Sequence, residues 1–138
     1  MSKSEIVVAQ PKSLAKGLLA GLVGGLAGTV TMALAERLLP ASDKRKAAPD
    51  AKADGVRWAF GAVVGAAYGA VAEFFPAAAA REGITFGMAV GALSEEGVLP
   101  AVGMIARPSA RERAGEITSH VVYGVTTEVV RGFVRKRL

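Results

Sequence analysis

An unbroken apolar block near the start of the chain most constrains what it can fold into. Gly17 to Ala35 is a run of nineteen residues without a charged side chain. About twenty consecutive apolar residues, each rising 1.5 Å in a helix, cross the hydrocarbon core of a bilayer. A secretory signal peptide has a shorter apolar core of about 7–15 residues. The block therefore predicts a retained transmembrane helix over about residues 14–39.

Three further apolar blocks follow the first. The second, at about 58–75, has Trp58 at one end and Phe74 and Phe75 at the other, where interfacial aromatic residues are common. The third, at about 83–106, contains Pro100, a residue that neighbouring helices can accommodate within a membrane. The fourth, at about 116–134, is the most polar. We expect an all-α integral membrane bundle of four transmembrane helices, a single domain over residues 1–138 with a polar loop at 40–57.

Parts of the sequence recur. Tyr68 to Glu73 and Tyr123 to Glu128 share the pattern Y-G-x-x-x-E, 55 positions apart. The first and third blocks share a glycine at every fourth position: Gly17, Gly21 and Gly25, then Gly83, Gly87 and Gly91. The pattern predicts two tandem helical hairpins that enter the membrane from the same side, as in a parallel repeat.

The charge distribution fits a membrane surface. The 17 Lys and Arg residues exceed the 12 Asp and Glu residues, for a formal net charge of +5, and most bases lie outside the apolar blocks. Such bases suit anionic lipid headgroups, so the lipid bilayer is an expected partner. The basic clusters lack the interleaved aromatic residues of a single-strand binder, and we expect no nucleic-acid partner. Neither end of the bundle holds a clear excess of bases, so orientation is weakly determined; we expect both termini inside.

Small residues at four-residue spacing predict close helix packing. Glycine lets two backbones approach where lipid supplies no hydrophobic drive. The interface could lie within a protomer or between protomers, and we expect a homo-oligomer. The candidate packing residues are Gly21, Gly25, Gly65, Gly69, Gly87 and Gly91.

Ionisable residues at membrane depth form the candidate site. A charge at the bilayer centre costs about 2.5–3.5 kcal/mol on insertion scales, so such residues face a bundle interior, a cavity or one another. They could exchange protons or bind a cation; those near helix ends could instead reach the headgroups. A metal site remains undecided with only one histidine, and no cofactor, catalytic residue or enzymatic reaction is expected. The candidates are Glu73, Glu95, Glu116, His120, Glu128 and Arg131.

A set of motifs runs along the second half of the chain, roughly residues 58–138. It comprises Ala72-Glu73-Phe74-Phe75-Pro76, then Gly83, Gly87, Pro100 and Gly103, then Glu116, Ile117 and His120, and finally Glu128-Val129-Val130-Arg131. In these residues the chain resembles the YagU-like family of small bacterial inner-membrane proteins, a domain of unknown function. The resemblance implies a multi-pass protein of the bacterial inner (cytoplasmic) membrane. Glu95 stands where we expect a histidine in that family.

Two functional hypotheses follow. The first is a small transport or channel-type protein whose Glu/His cluster exchanges protons or binds a cation. The second is a non-transporting structural or accessory subunit of a membrane protein complex, with the polar residues bonding partner helices. The sequence identifies neither a solute nor a particular membrane-protein partner.

Overall fold

The computed structural model describes residues 10–39, 51–93 and 110–138, and all regular structure in these ranges is helical. Helix α1 spans Leu14–Leu38 and α2 spans Ala51–Phe74. A 3-10 segment at Pro76–Gly83 leads into α3, Ile84–Leu93, and α4 spans Ala110–Arg135. The all-α prediction is confirmed.

Local sequence explains where α1 and α2 stop. Ser13 caps α1, its hydroxyl accepting the backbone N–H of Lys16 at 3.4 Å. Leu39 then leaves α1 in an extended conformation, as expected for a residue followed in sequence by proline. Helix α2 begins at Ala51, inside the segment predicted as a polar loop, and ends before Pro76. Proline is well suited to open the next helical segment.

The described helices of the second half can be compared with the predicted spans. Helix α4 begins at Ala110, before the predicted start near residue 116. The described part of the third predicted span is α3 alone, and residues 94–106 lie outside the described ranges. Two helices of the described chain, α1 and the part of α2 from Asp54 to Phe74, are long and apolar enough to cross a membrane. Four membrane crossings thus stay a prediction.

Helix α1 packs against both α2 and α4, and α3 packs against α4. Glycines bring α1 and α2 together in antiparallel order. A Cβ placed on Gly65 would lie 2.5 Å from both the Gly21 carbonyl oxygen and the Gly25 Cα. A second face of α1 meets α4, where a Cβ on Gly24 would lie 2.5 Å from the Thr127 carbonyl oxygen. The helices thus touch backbone to backbone, as small-residue packing allows.

Glycine–glutamate contacts of the same kind occur in both predicted hairpins. In the first hairpin, a Cβ on Gly17 would lie 2.9 Å from the Glu73 Cβ. In the second hairpin, a Cβ on Gly83 would lie 2.9 Å from the Glu128 Cβ. Each of these glycines also faces a backbone glycine of the partner helix, Gly69 or Gly124. The residues that the repeat equates therefore occupy equivalent positions.

The short 3-10 segment makes the second of these contacts possible. Its last three residues, Arg81, Glu82 and Gly83, have φ values of 61°, 54° and 82°. This left-handed region favours glycine, and non-glycine residues there cost roughly 1–2 kcal/mol each. The turn places Gly83 against the Gly124 backbone at the start of α3.

Polar and apolar side chains are placed in this bundle in the opposite way to a water-soluble domain. Ser119 and Thr127 have no exposed surface, whereas Leu19 is 50%, Leu34 52% and Val63 67% exposed. Large aliphatic side chains are normally the most buried in a protein that folds in water. Among the described residues, many large aliphatic side chains therefore face outward, while hydroxyl-bearing side chains are buried.

Candidate functional site

Glu73 lies in the last turn of α2, beside the start of α1, and is held by an arginine of α4. Arg135 donates to both carboxylate oxygens, from Nε to Oε2 at 2.8 Å and from Nη2 to Oε1 at 2.5 Å. The backbone N–H of Ser13 adds a bond to Oε1 at 2.8 Å. The Glu73 side chain is 6% exposed and that of Arg135 11%. The carboxylate also supplies the negative charge that favours the N-terminus of α1.

The remaining donors of Arg135 go to the segment before α1. Nη2 also donates to the Pro11 carbonyl at 2.9 Å, and Nη1 donates to the Gln10 side chain at 2.5 Å. The hydrogen bond to Glu73 raises the pKa of the Arg135 guanidinium above its ordinary value. This arginine thus stays charged and fastens α4 to both α1 and α2.

Glu128 forms a second closed group with two neighbours. Arg131, one turn further along α4, donates to both of its oxygens at 2.7 Å. The Tyr68 hydroxyl of α2 donates to Glu128 Oε2 at 2.7 Å. Fork-shaped pairs of this kind are stronger and more precisely oriented than neutral hydrogen bonds.

An aromatic stack lies beside this group. The Phe86 ring stacks on Tyr68 at 3.9 Å between centroids and meets Tyr123 at 5.8 Å. The Tyr123 hydroxyl donates to the Gly61 carbonyl oxygen at 2.8 Å in a buried bond. The two tyrosines that the sequence repeat equates therefore have different acceptors, one a carboxylate and the other a backbone carbonyl.

His120 and Glu116 lie apart from these groups. His120 Nδ1 is 2.9 Å from the backbone carbonyl oxygen of Glu116, one turn earlier on α4. His120 precedes Glu128 by eight residues, about 12 Å along a helix axis. A Cβ on Gly91 would lie 3.2 Å from the imidazole Cγ, so α3 covers the ring closely. His120 is 9% exposed.

The described members of the predicted polar cluster bond to different partners. Glu73 joins Arg135, whereas Glu128 and Arg131 join Tyr68. Glu95 lies outside the described residues. No group of three or more His, Asp and Glu residues suited to a metal ion occurs within residues 10–39, 51–93 and 110–138.

The predicted packing glycines all lie between helices of one chain. Gly21 and Gly25 of α1 contact the backbone of α2 at Gly65 and neighbouring glycines. Gly69 faces Gly17 and Gly21, while Gly87 and Gly91 of α3 face His120 of α4. A homo-oligomer would therefore need contacts other than these glycines.

Sequence reasoning missed Arg135 as the partner of Glu73. The two residues are 62 positions apart, and Arg135 begins a basic run that suits headgroups equally well. Tyr68 carried a usable signal, since it opens the first Y-G-x-x-x-E element, but its acceptor belongs to the second element. No local pattern indicates such an exchange between the repeats.

The fold and site together define an all-α bundle with an apolar exterior, two helices able to span a membrane, and ion pairs that join helices. The chain belongs to the family described as "Protein of unknown function (DUF1440)", whose model matches residues 44–129. This agrees with the resemblance noted from the sequence. Searches of curated proteins and of solved structures found no match.

Proposed function

We propose that this protein is a non-transporting structural or accessory subunit in the bacterial inner membrane, crossing it with four helices. The supporting observation is that Glu73 and Glu128, two of the predicted site carboxylates, are each closed by a two-pronged arginine bond between or within helices. Their role is to fasten the bundle. Family membership contributes no activity to this proposal.

The reversed polarity supports residence in a bilayer. The exposed face of α1 is built from Leu18, Leu19, Leu22 and Val23, while small and hydroxyl-bearing residues fill the interior. Lipid tails would cover these leucines, and helix association would then depend on close packing and polar bonds. Charged residues inside such a bundle are expected to pair with one another.

The same pairs argue against ion movement through Glu73 and Glu128. A cation or proton would have to displace a guanidinium from each carboxylate. Breaking a buried pair by removing one partner costs about 3–5 kcal/mol, because the other charge remains buried. A transport site gains from a carboxylate that exchanges ligands readily, and these two carboxylates are already saturated with donors.

Proton- or cation-linked transport is the second candidate, located elsewhere in the bundle. The observation that favours it is the burial of His120, a side-chain type common in proton transfer, within the predicted fourth span and one turn from Glu116. Glu95 of the predicted third span would complete this site.

An accessory role also requires a surface that meets a partner. Since the named glycines pack inside one chain, the outward aliphatic side chains of α1 and α2 are the available contact surface. These side chains would contact a partner helix, a second copy of the chain, or lipid.

Measurement of ion flux in proteoliposomes distinguishes the accessory-subunit proposal from transport. We expect the wild type to carry no measurable H⁺, Na⁺ or K⁺ flux, and Glu73→Gln to lower thermal stability without creating flux. Wild-type flux abolished by Glu95→Gln and by His120→Gln, in variants that still fold, would replace the accessory proposal with transport. Glu73→Gln serves as the matched control, because it removes one carboxylate charge outside the His120 region.

A further inference from the structure

The basic residues at one end of the bundle are of two kinds, those that form an ion pair with a carboxylate and those that do not. This end carries the start of α1 and the last turns of α2 and α4. Arg131 and Arg135 are neutralised by Glu128 and Glu73. Lys12, Lys136 and Arg137 have no carboxylate within ion-pair distance among the described residues, and all three are exposed.

Hydrogen bonds hold these unpaired bases in one place. Arg135 bonds the Pro11 carbonyl at 2.9 Å, directly before Lys12. Lys16 donates to the backbone oxygen of Leu138 at 2.5 Å, directly after Arg137. The segment at the start of α1 and the segment at the end of α4 are therefore bonded to each other. Lys12 thus lies beside Lys136 and Arg137, which follow α4.

Exposed aromatic rings surround the same end. Phe74 is 41%, Phe75 68% and Phe133 55% exposed. The Arg137 guanidinium lies 3.9 Å from the centroid of the Phe133 ring, within the range of a cation–π contact. Aromatic rings and bases together are typical of the depth at which lipid headgroups meet hydrocarbon.

We propose that Lys12, Lys136 and Arg137 form a binding surface for the phosphate-bearing headgroups of anionic phospholipids. We name these three residues the basic end. Their side chains form no ion pair with a carboxylate among the described residues, and Lys12 donates only to the Phe74 carbonyl oxygen at 3.4 Å. An anionic lipid would supply the missing negative charge at the depth set by the phenylalanines. The inference rests on the proposed membrane location, but it does not depend on whether the protein transports ions.

The test compares lipid preference in three forms of the full chain. Detergent-solubilised protein is equilibrated with micelles containing equal amounts of phosphatidylglycerol and phosphatidylcholine, and bound lipids are counted by native mass spectrometry. We expect the wild type to retain phosphatidylglycerol preferentially. Since each base near an anionic surface contributes roughly five-fold in affinity, K12Q/K136Q/R137Q should lower that preference by up to about a hundred-fold.

Two controls make the result specific. R37Q/R111Q/R113Q removes the same charge from exposed residues at the opposite end of α1 and α4, and should keep the preference. K12R/K136R/R137K keeps the charge at the basic end and should also keep it. An unchanged preference in K12Q/K136Q/R137Q, or an equal loss in the opposite-end variant, would overturn the proposal.

Competition identifies the source of the phosphate. Soluble glycerol phosphate in excess should not displace the bound phosphatidylglycerol, and displacement would instead assign a site for free phosphate esters. Membrane fractionation of the same variants keeps the two proposals distinct. If the protein stays in membranes but shows no lipid preference, only the proposal of lipid binding by the basic end is contradicted. If it is found in the soluble fraction, the proposed membrane location itself is contradicted.

Discussion

At the scale of single residues, one arginine joins three parts of the chain. Arg135 belongs to α4. Its guanidinium donates to Glu73 of α2 and to Gln10 and Pro11, which precede α1. A guanidinium offers five donors in a planar fork, so one side chain can satisfy several acceptors at once. The carboxylate that it binds also receives the Ser13 N–H. Removing this arginine leaves the buried Glu73 carboxylate, and the exposed acceptors of Gln10 and Pro11, without their shared donor.

Arg135→Gln should therefore destabilise the protein strongly. We expect the free energy of unfolding in detergent to fall by about 3 kcal/mol, because Glu73 would remain as a buried and uncompensated charge. Arg137→Gln removes the same charge two positions away and should cost less than about 1 kcal/mol, the value of its ring contact. Denaturant unfolding followed by circular dichroism measures both variants. Equal losses would mean that net charge, and not the Glu73 bond, sets the effect.

The two tyrosines of the repeat offer a second comparison at this scale. Tyr68→Phe removes a bond to a charged acceptor, and Tyr123→Phe removes one to a neutral carbonyl. Hydrogen bonds to charged groups contribute about 1.5–3 kcal/mol, against roughly 1 kcal/mol for neutral ones. Tyr68→Phe should thus lower the melting temperature more than Tyr123→Phe. The reverse order would show that the Glu128 group contributes little to stability.

At the scale of helices, backbone contact between glycines decides which faces meet. Helix α1 uses one glycine face for α2 and another for α4, so its two partners lie on different sides. Four-residue spacing of small residues indicated that close contacts would form. It could not indicate which helix each face would meet, because glycine carries no side chain to specify a partner. Helix α1 was predicted almost to its ends, where Ser13 and Pro40 are strong local signals.

Gly65→Ala and Gly55→Ala test this packing within a single helix. A Cβ on Gly65 would meet the α1 backbone, whereas one on Gly55 would meet no atom within 4 Å. Gly65→Ala should lower the unfolding free energy by about 1–3 kcal/mol through overpacking. Gly55→Ala should leave it unchanged or raise it by up to about 1 kcal/mol through helix propensity. A stabilised Gly65→Ala variant would contradict the α1–α2 contact.

At the scale of the whole molecule, the repeat explains what sequence could predict of the site. The repeat equates Gly17 with Gly83 and Glu73 with Glu128, and in the structure each glutamate lies beside the equivalent glycine. Arg131 and Arg135 follow Glu128, but no arginines stand at the equivalent positions after Glu73. The arginines therefore break the symmetry of the repeat. The partner of Arg135 depends on how the hairpins dock, because Glu73 is 62 positions away. For this reason, the sequence could not show that Glu73 and Glu128 bond to different arginines.

The last prediction concerns membrane topology, and follows from the bonds between residues 10–16 and 135–138. Because Arg135 holds Pro11 and Lys16 holds Leu138, both ends of the described chain lie at one end of the bundle. Helix α1, about 37 Å long at 1.5 Å per residue, separates this end from Arg37. If the bundle crosses a bilayer, the two chain ends face one compartment and Arg37 faces the other.

Single-cysteine variants test this arrangement cleanly, because the chain contains no cysteine. Lys12→Cys and Leu138→Cys should react alike with a membrane-impermeant maleimide, while Arg37→Cys and Arg111→Cys should show the opposite accessibility. The labelling is measured on intact and on permeabilised spheroplasts, with retention after alkaline carbonate washing as the control for membrane insertion. If all four cysteines react from one side, the helices lie on the membrane surface and the four-span proposal fails. If each cysteine reacts by half from either side, the protein inserts in both orientations, which suits its nearly balanced distribution of bases.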